Sequence, residues 1–174
     1  MNAALTAERL RELLDYNPAT GHFTWRAPPR NGTLVGDLAG SSQRGYIQIN
    51  VDNSGYLAHR LVWLYVHGRW PISQIDHINL IQSDNRLANL REATHAENAR
   101  NCEPLSIANK SGYRGVYWNT QKKKWEARIR VGGPSIYLGR YNTKEEAAAA
   151  YRAAAIQYHG AFARPEPINT EEKL

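Results

Sequence analysis

A chain of 174 residues with 42% hydrophobic content has enough apolar material to bury a core, as one domain or two small ones, which excludes wholesale disorder. No run approaches the roughly 18 apolar residues of a membrane span, the charged N-terminus MNAALTAERLRELL lacks the apolar stretch of a signal peptide, and the single Cys102 excludes an internal disulfide or a cysteine-rich zinc site. The net charge of +6 lies wholly in the second part: residues 1–109 hold 10 Arg, no Lys and 10 acids, whereas residues 110–174 hold 12 Lys plus Arg and 6 acids.

Residues 5–14 place Leu5, Leu10, Leu13 and Leu14 near helical spacing behind Thr6 as N-cap. Asn17-Pro18 and Thr20-Gly21 mark a turn, and His22 to Arg26 read as a short strand. The Pro/Gly-rich stretch 27–45 reads as loop. Tyr46 to Val51 alternates as a strand, and a turn at Asn53-Ser54-Gly55 leads into a strand over Tyr56–His59. Arg60 to His67 is apolar enough for a buried helix closed by Gly68. Residues 102–110 lack periodicity and form a linker. Beyond them come strands over Val116–Trp118, Trp125–Val131 and Ile136–Tyr141. Thr143 and Glu146 then form a capping box on an alanine-rich helix that Gly160 ends.

Between these elements, IDHINLIQSDNRLANLREATHAEN gathers Asp76, His77, Asn79, Asp84, Asn85, Asn89, His95 and Asn98 into 23 residues. Phosphodiester hydrolysis needs a base to activate water and a cation to offset charge. Neutral histidine supplies the first, and a carboxylate with an amide oxygen suits a hard cation. By spacing alone, such Asn/Asp clusters are more often turns and caps than metal sites. On a strand the side chains of Asp76 and His77 diverge, so a shared site calls for a twist or bulge.

The ordered run Ala58-His59-Arg60-Leu61-Val62-Trp63, Ile75-Asp76-His77-Ile78-Asn79, Asp84-Asn85-Arg86, Asn89-Leu90-Arg91 and Glu97-Asn98 resembles the HNH homing endonucleases of phages and introns, over about residues 5–101. The resemblance implies a ββα-metal core over about 58–101 in which Asp76 and Asn98 bind the cation, Mg2+ or Mn2+. It makes His77 the general base and Asn89 the residue that fixes the His77 ring. One departure stands out: relatives often carry a Gly-Asp-like turn where this chain has Leu80-Ile81. His59 reads as a structural histidine, and His95 as a solvent-facing or capping one.

In the basic segment, Trp125, Ala127, Ile129 and Val131 share one strand face and Glu126, Arg128 and Arg130 the other. Together with Ser111 to Val116, Tyr137-Leu138-Gly139 and Thr143 to Ala155, this segment is similar to the AP2 DNA-binding domain over about residues 111–164. That likeness implies an antiparallel three-stranded sheet on one helix, with Arg114, Trp118, Arg128, Arg130 and Tyr137 facing DNA. Lys122, Lys123 and Lys124 serve as phosphate contacts.

The chain is thus expected to be α+β: an HNH nuclease domain over 1–101, a linker over 102–110, an AP2-like domain over 111–164 and a tail over 165–174. The expected activity is metal-dependent cleavage of double-stranded DNA, by a monomer or homodimer in the cytoplasm of a bacterium or phage-infected cell. The alternative is a non-catalytic DNA-binding or transcriptional protein with an inactive nuclease domain.

Overall fold

Residues 5–29, 32–101 and 109–163 are described by the computed structural model, and their packing divides the chain into Met1–His95 and Ala96–Leu174. The division falls ahead of the predicted linker, of which 102–108, with Cys102, lie outside the described residues, as does the tail 165–174. No helix among the described residues is long and apolar enough to cross a membrane.

In the first unit, Thr6 caps α1 (Ala7–Leu13) through its hydroxyl, which accepts from the Arg9 amide at 3.2 Å. The predicted helix stops one residue early because Leu14 turns extended and opens β1 (Leu14–Asn17), antiparallel to β2 (His22–Trp25). A three-stranded sheet follows, in the order β3 (Ser41–Gln43), β4 (Tyr46–Val51), β5 (Ser54–Leu57). Strand β3 lies inside the stretch read as loop, since three exposed polar residues carry no alternation. Asp52 and Asn53 both have positive φ, 47° and 64°, the backbone of a two-residue turn matched to strand twist. The turn therefore sits earlier than predicted, and Ala58 and His59 pass from the expected strand into the first turn of α2 (Ala58–His67).

Helix α2 buries Leu61, Val62 and Leu64 against the sheet and α1, in one core with Leu10, Leu14 and Phe23. The hairpin of β6 (Gln74–His77) and β7 (Leu90–Ala93) adds Ile75 and Leu90 to that core. Helix α3 (His95–Asn101) starts at the division between the units.

The second unit is an α+β arrangement, as expected: a three-stranded antiparallel sheet packed on one helix. Its strands run in the order β10 (Ser135–Tyr141), β9 (Lys124–Arg130), β8 (Val116–Asn119), and its helix is α4 (Lys144–His159). Both halves of the Thr143/Glu146 capping box form. Ala147, Ala148, Ala154 and Ala155 recur at helical spacing and are buried beneath Ala127 and Ile129. Their small side chains let the helix approach the sheet closely.

Candidate functional site

The first unit gathers its polar cluster where β6 ends. Asp76 pairs with Arg91 and His77 with Leu90 across the hairpin, with no bulge between them, so the two side chains leave opposite faces. Both are buried, at 3% and 6% exposure. On the Asp76 face, Oδ2 accepts from Arg91 Nε (2.8 Å) and Nη2 (2.6 Å), a charge-assisted pair that makes burial of the carboxylate tolerable.

On the other face, His77 Nε2 lies 3.2 Å from Asn85 Oδ1, and Asn85 is itself 2% exposed. Asn85 Nδ2 donates to the Ser83 carbonyl at 3.3 Å, which turns Oδ1 toward the ring. A carboxamide oxygen only accepts, so the proton of neutral His77 resides on Nε2 and the lone pair on Nδ1. Burial lowers the His77 pKa; the Asn85 bond and the charges of Asp76 and Asp84 oppose this without reversing it. His77 is therefore neutral at neutral pH, the state a proton acceptor requires.

The structure thus corrects the partner expected for His77. Asn89 makes no bond to the ring: its Oδ1 accepts from the Asn79 amide (3.0 Å) and its Nδ2 donates to the Asp84 carbonyl (2.8 Å). Its own carbonyl accepts from the Ile78 amide at 2.9 Å. Asn89 therefore ties both ends of the 79–84 turn and shapes the segment that carries Asn85. The sequence did contain Asn85, inside Asp84-Asn85-Arg86, but position alone does not say which of two amides reaches the imidazole.

The β1–β2 hairpin braces the same segment. Tyr16 Oη donates to the Asn85 carbonyl and accepts from the Leu87 amide, both at 2.9 Å. Gly21 has φ +77° and lies so close that a Cβ there would stand 2.5 Å from the Arg86 amide nitrogen. Behind His77, the His59 ring meets it edge-on at 5.1 Å and Tyr46 packs on both, at 5.5 Å from His59 and 6.1 Å from His77. Burial drives the His59 pKa down to about 3, with the neighbouring His77 and Arg60 adding to the shift.

Asp76 and His77 are neighbours on β6 but leave it on opposite faces, without the twist or bulge a shared site calls for, and Asn89 lies against the 79–84 turn; Asn98 lies on α3, within the second unit. Among the described residues no group of three or more His, Cys, Asp or Glu side chains is placed to hold a metal ion. Oxygen donors of the Asp and Asn kind suit Mg2+ or Mn2+ better than zinc, and the Asp76 carboxylate is here engaged by Arg91.

In the second unit the outward sheet face carries the charge. Cross-strand partners share a face, so Tyr117 opposite Glu126, Tyr137 opposite Arg128 and Arg140 opposite Glu126 all lie on the side away from α4, as does Arg130. Trp118 is a correction. It pairs with Trp125, whose face also holds the buried Ala127 and Ile129, and the two indoles meet edge-on at 5.1 Å. Trp118 belongs to the helix side of the sheet, at its exposed margin, and Tyr117, which sequence reading passed over, takes the outward place. Arg114 is half-buried in the turn ahead of β8, where its charge acts on Tyr151 of α4. Lys122 and Lys123 are exposed in the β8–β9 turn, whereas Lys124 donates to Asn142 Oδ1.

These two arrangements define the chain as a polar, histidine-centred unit followed by an arginine-faced sheet on a helix. Residues 56–100 match the family model of HNH endonucleases, and residues 111–161 match that of the AP2 domain. Among curated proteins the chain is similar to the ethylene-responsive transcription factor WRI1 of Arabidopsis thaliana, with 60% identity over 55 residues. That match covers 30% of this chain and 13% of WRI1. It is also similar to the AP2-like ethylene-responsive transcription factor CRL5 of Oryza sativa subsp. japonica, with 52% identity over 52 residues, 29% of this chain and 8% of CRL5.

Proposed function

We propose that the chain binds double-stranded DNA through the outward face of β8–β10 and hydrolyses a phosphodiester at the centre around His77. The observation that carries the second half is the buried, neutral His77 whose tautomer Asn85 sets, inside a segment that matches the HNH endonuclease model. The first half rests on the exposed Arg128, Arg130 and Arg140 with Tyr117 and Tyr137, in a segment that matches the AP2 model. Arginines on such a sheet suit base edges in the major groove, and the lysines of the β8–β9 turn suit phosphates.

In this mechanism Nδ1 of His77 takes a proton from water as the water oxygen bonds to phosphorus. The bond to the leaving sugar oxygen breaks, and that oxygen takes a proton from solvent. Asn85 keeps the His77 ring in the accepting tautomer, Asn89 holds the loop that presents Asn85, and Arg91 orients the Asp76 carboxylate. The family resemblance implies Asp76 and Asn98 as the residues that would hold Mg2+ or Mn2+, and such a cation would offset charge on the phosphate and leaving oxygen.

A second reading, a DNA-binding protein without cleavage, is favoured by one contact. Arg91 bonds Asp76 Oδ2 twice, and a carboxylate so neutralised attracts a cation less. Incubation with supercoiled plasmid separates the two readings. Nicking is expected with Mg2+, none with EDTA, and a loss of about 10²–10⁴-fold in His77→Ala. Plasmid bound but left uncut by the wild-type chain would select the second reading.

A further inference from the structure

We propose that Glu126 is a positioning residue that splints Arg128 and Arg140 into a rigid pair for reading guanines in a duplex, a proposal that rests on the DNA-binding reading of this face. Glu126 lies in the middle of the outward face, yet its side chain is only 7% exposed, because two guanidinium groups cover it. Arg140 Nε donates to Oε1 at 2.9 Å and Arg128 Nη2 to Oε2 at 3.1 Å, while Asn119 Nδ2 donates to Oε1 at 2.8 Å. Both guanidinium carbons stand over the Tyr137 ring, at 5.7 Å for Arg128 and 5.8 Å for Arg140. The arginine side chains themselves are about half exposed, at 51% and 48%. The carboxylate is thus the floor of the cluster, and the cations are its upper surface.

Two features make this an oriented device. The bond from Arg140 uses Nε, so its Nη1/Nη2 edge is not used by Glu126, and that edge matches the O6/N7 pair of guanine. The second feature is a β-bulge. Tyr137 and Arg140 are an odd number of residues apart, which in a regular strand puts them on opposite faces. Strand β10 shifts register between Tyr137 and Gly139, so Leu138 is the extra residue and Arg140 comes round to the Tyr137 face. Gly139, at φ +139°, adopts the backbone this requires. A flexible arginine gives up rotamer freedom on binding, and one already bonded to a carboxylate and a ring gives up less. Specificity, more than charge, is what the splint supplies.

The test uses the full chain. A duplex is selected from a randomised pool, and fluorescence anisotropy then compares its Kd with that of a scrambled duplex, each over a salt series. The selected sites should contain guanine. Glu126→Gln replaces one acceptor with an amide donor facing a guanidinium, and Arg140→Lys keeps the charge without the planar edge. Each should lower the selected-to-scrambled affinity ratio by roughly tenfold, with the larger loss falling on the selected duplex. Arg140 is at the surface, so Arg140→Lys decides the matter if Glu126→Gln fails to fold. A ratio unchanged in the folded variants, equal losses on both duplexes, or selected sites without guanine would overturn the proposal while leaving DNA binding intact. A wild-type chain that binds no duplex would remove the DNA-binding reading and the proposal with it.

Discussion

The 79–91 segment of the first unit and the β8–β10 sheet of the second use the same side chains to opposite ends. In the first, Asn85, Asn89 and Arg91 are drawn inward, and each bonds a buried or half-buried partner, namely His77, the 79–84 turn and Asp76. In the second, Arg128, Arg140 and Asn119 surround a single buried carboxylate and turn their remaining donors outward. The difference is one of tolerance. A buried network leaves a desolvated group behind when one member is removed, whereas an outward cluster lets water fill the gap. Substitutions in the first region should therefore damage folding and chemistry together, and those in the second should separate affinity from stability.

Asn85→Ala tests that contrast most severely. It strips the His77 ring of its acceptor and leaves Nε2–H buried, at an expected cost of about 1–3 kcal/mol in the stability of the first unit. With the tautomer no longer set, cleavage should fall by about 10²-fold, the lower end of what a positioned base contributes. Asn89→Ala should cost comparable stability, since it frees the Asn79 amide and the Asp84 carbonyl, but it leaves His77 its partner. Urea unfolding and plasmid nicking on both variants read the two effects. If Asn89→Ala loses more cleavage than Asn85→Ala at equal stability, the assignment of Asn85 to the ring is wrong.

The pH dependence of stability probes the same burial with a smaller effect. His59 is faced by the His77 and Tyr46 rings and by the charge of Arg60, and its folded pKa lies near 3. The unfolded chain takes up a proton at the ordinary histidine value while the folded chain does not. Stability is therefore full above about pH 6.5 and is lost as pH falls below it, by up to about 1.4 kcal/mol per pH unit. The His77 shift has the same sign and adds to the slope. His59→Gln should remove about one proton's worth of slope from unfolding measured at pH 7 and pH 5. An unaltered slope would mean that His59 already carries its proton in the folded state.

Much of this was legible from residue order, and the omissions share a cause. Helix α2 with its Gly68 end, the Thr143/Glu146 cap and the alternation of β9 all declare themselves locally, and the structure contains them. What the sequence concealed depends on register. Trp118 and Tyr117 exchange faces once β8 is aligned on β9, and Arg140 joins Tyr137 through a bulge that no composition rule announces. The choice between Asn85 and Asn89 turns on how the chain crosses 79–84, and that path is set partly by Tyr16 and Gly21, more than 60 residues earlier. Short-range pattern identified the chemical groups, and long-range contact decided which of them meet.

Leu80 offers the smallest test, in the turn between β6 and β7. Its φ is +66°, a left-handed backbone that costs an ordinary L-residue about 1–2 kcal/mol. The turn is held nonetheless: Leu80 N–H donates to the His77 carbonyl (3.0 Å), Ile81 N–H to Asn79 Oδ1 (2.9 Å) and Asn79 Nδ2 to Asp84 Oδ2 (2.7 Å). Those bonds fix the conformation whatever side chain Leu80 carries, so the strain is borne by the residue and not relieved by a change of path. Leu80→Gly relieves it but returns about 0.5–1 kcal/mol of chain entropy to the unfolded state, which leaves a net gain of up to about 1.5 kcal/mol. Plasmid nicking should stay within about twofold of wild type, because the bonds that present Asn85 are unchanged. A destabilised Leu80→Gly chain would mean that the half-buried leucine side chain packs well enough to outweigh its backbone strain. The turn would then be held by apolar contact, and the Asn79 and Asn89 bonds would be its consequence.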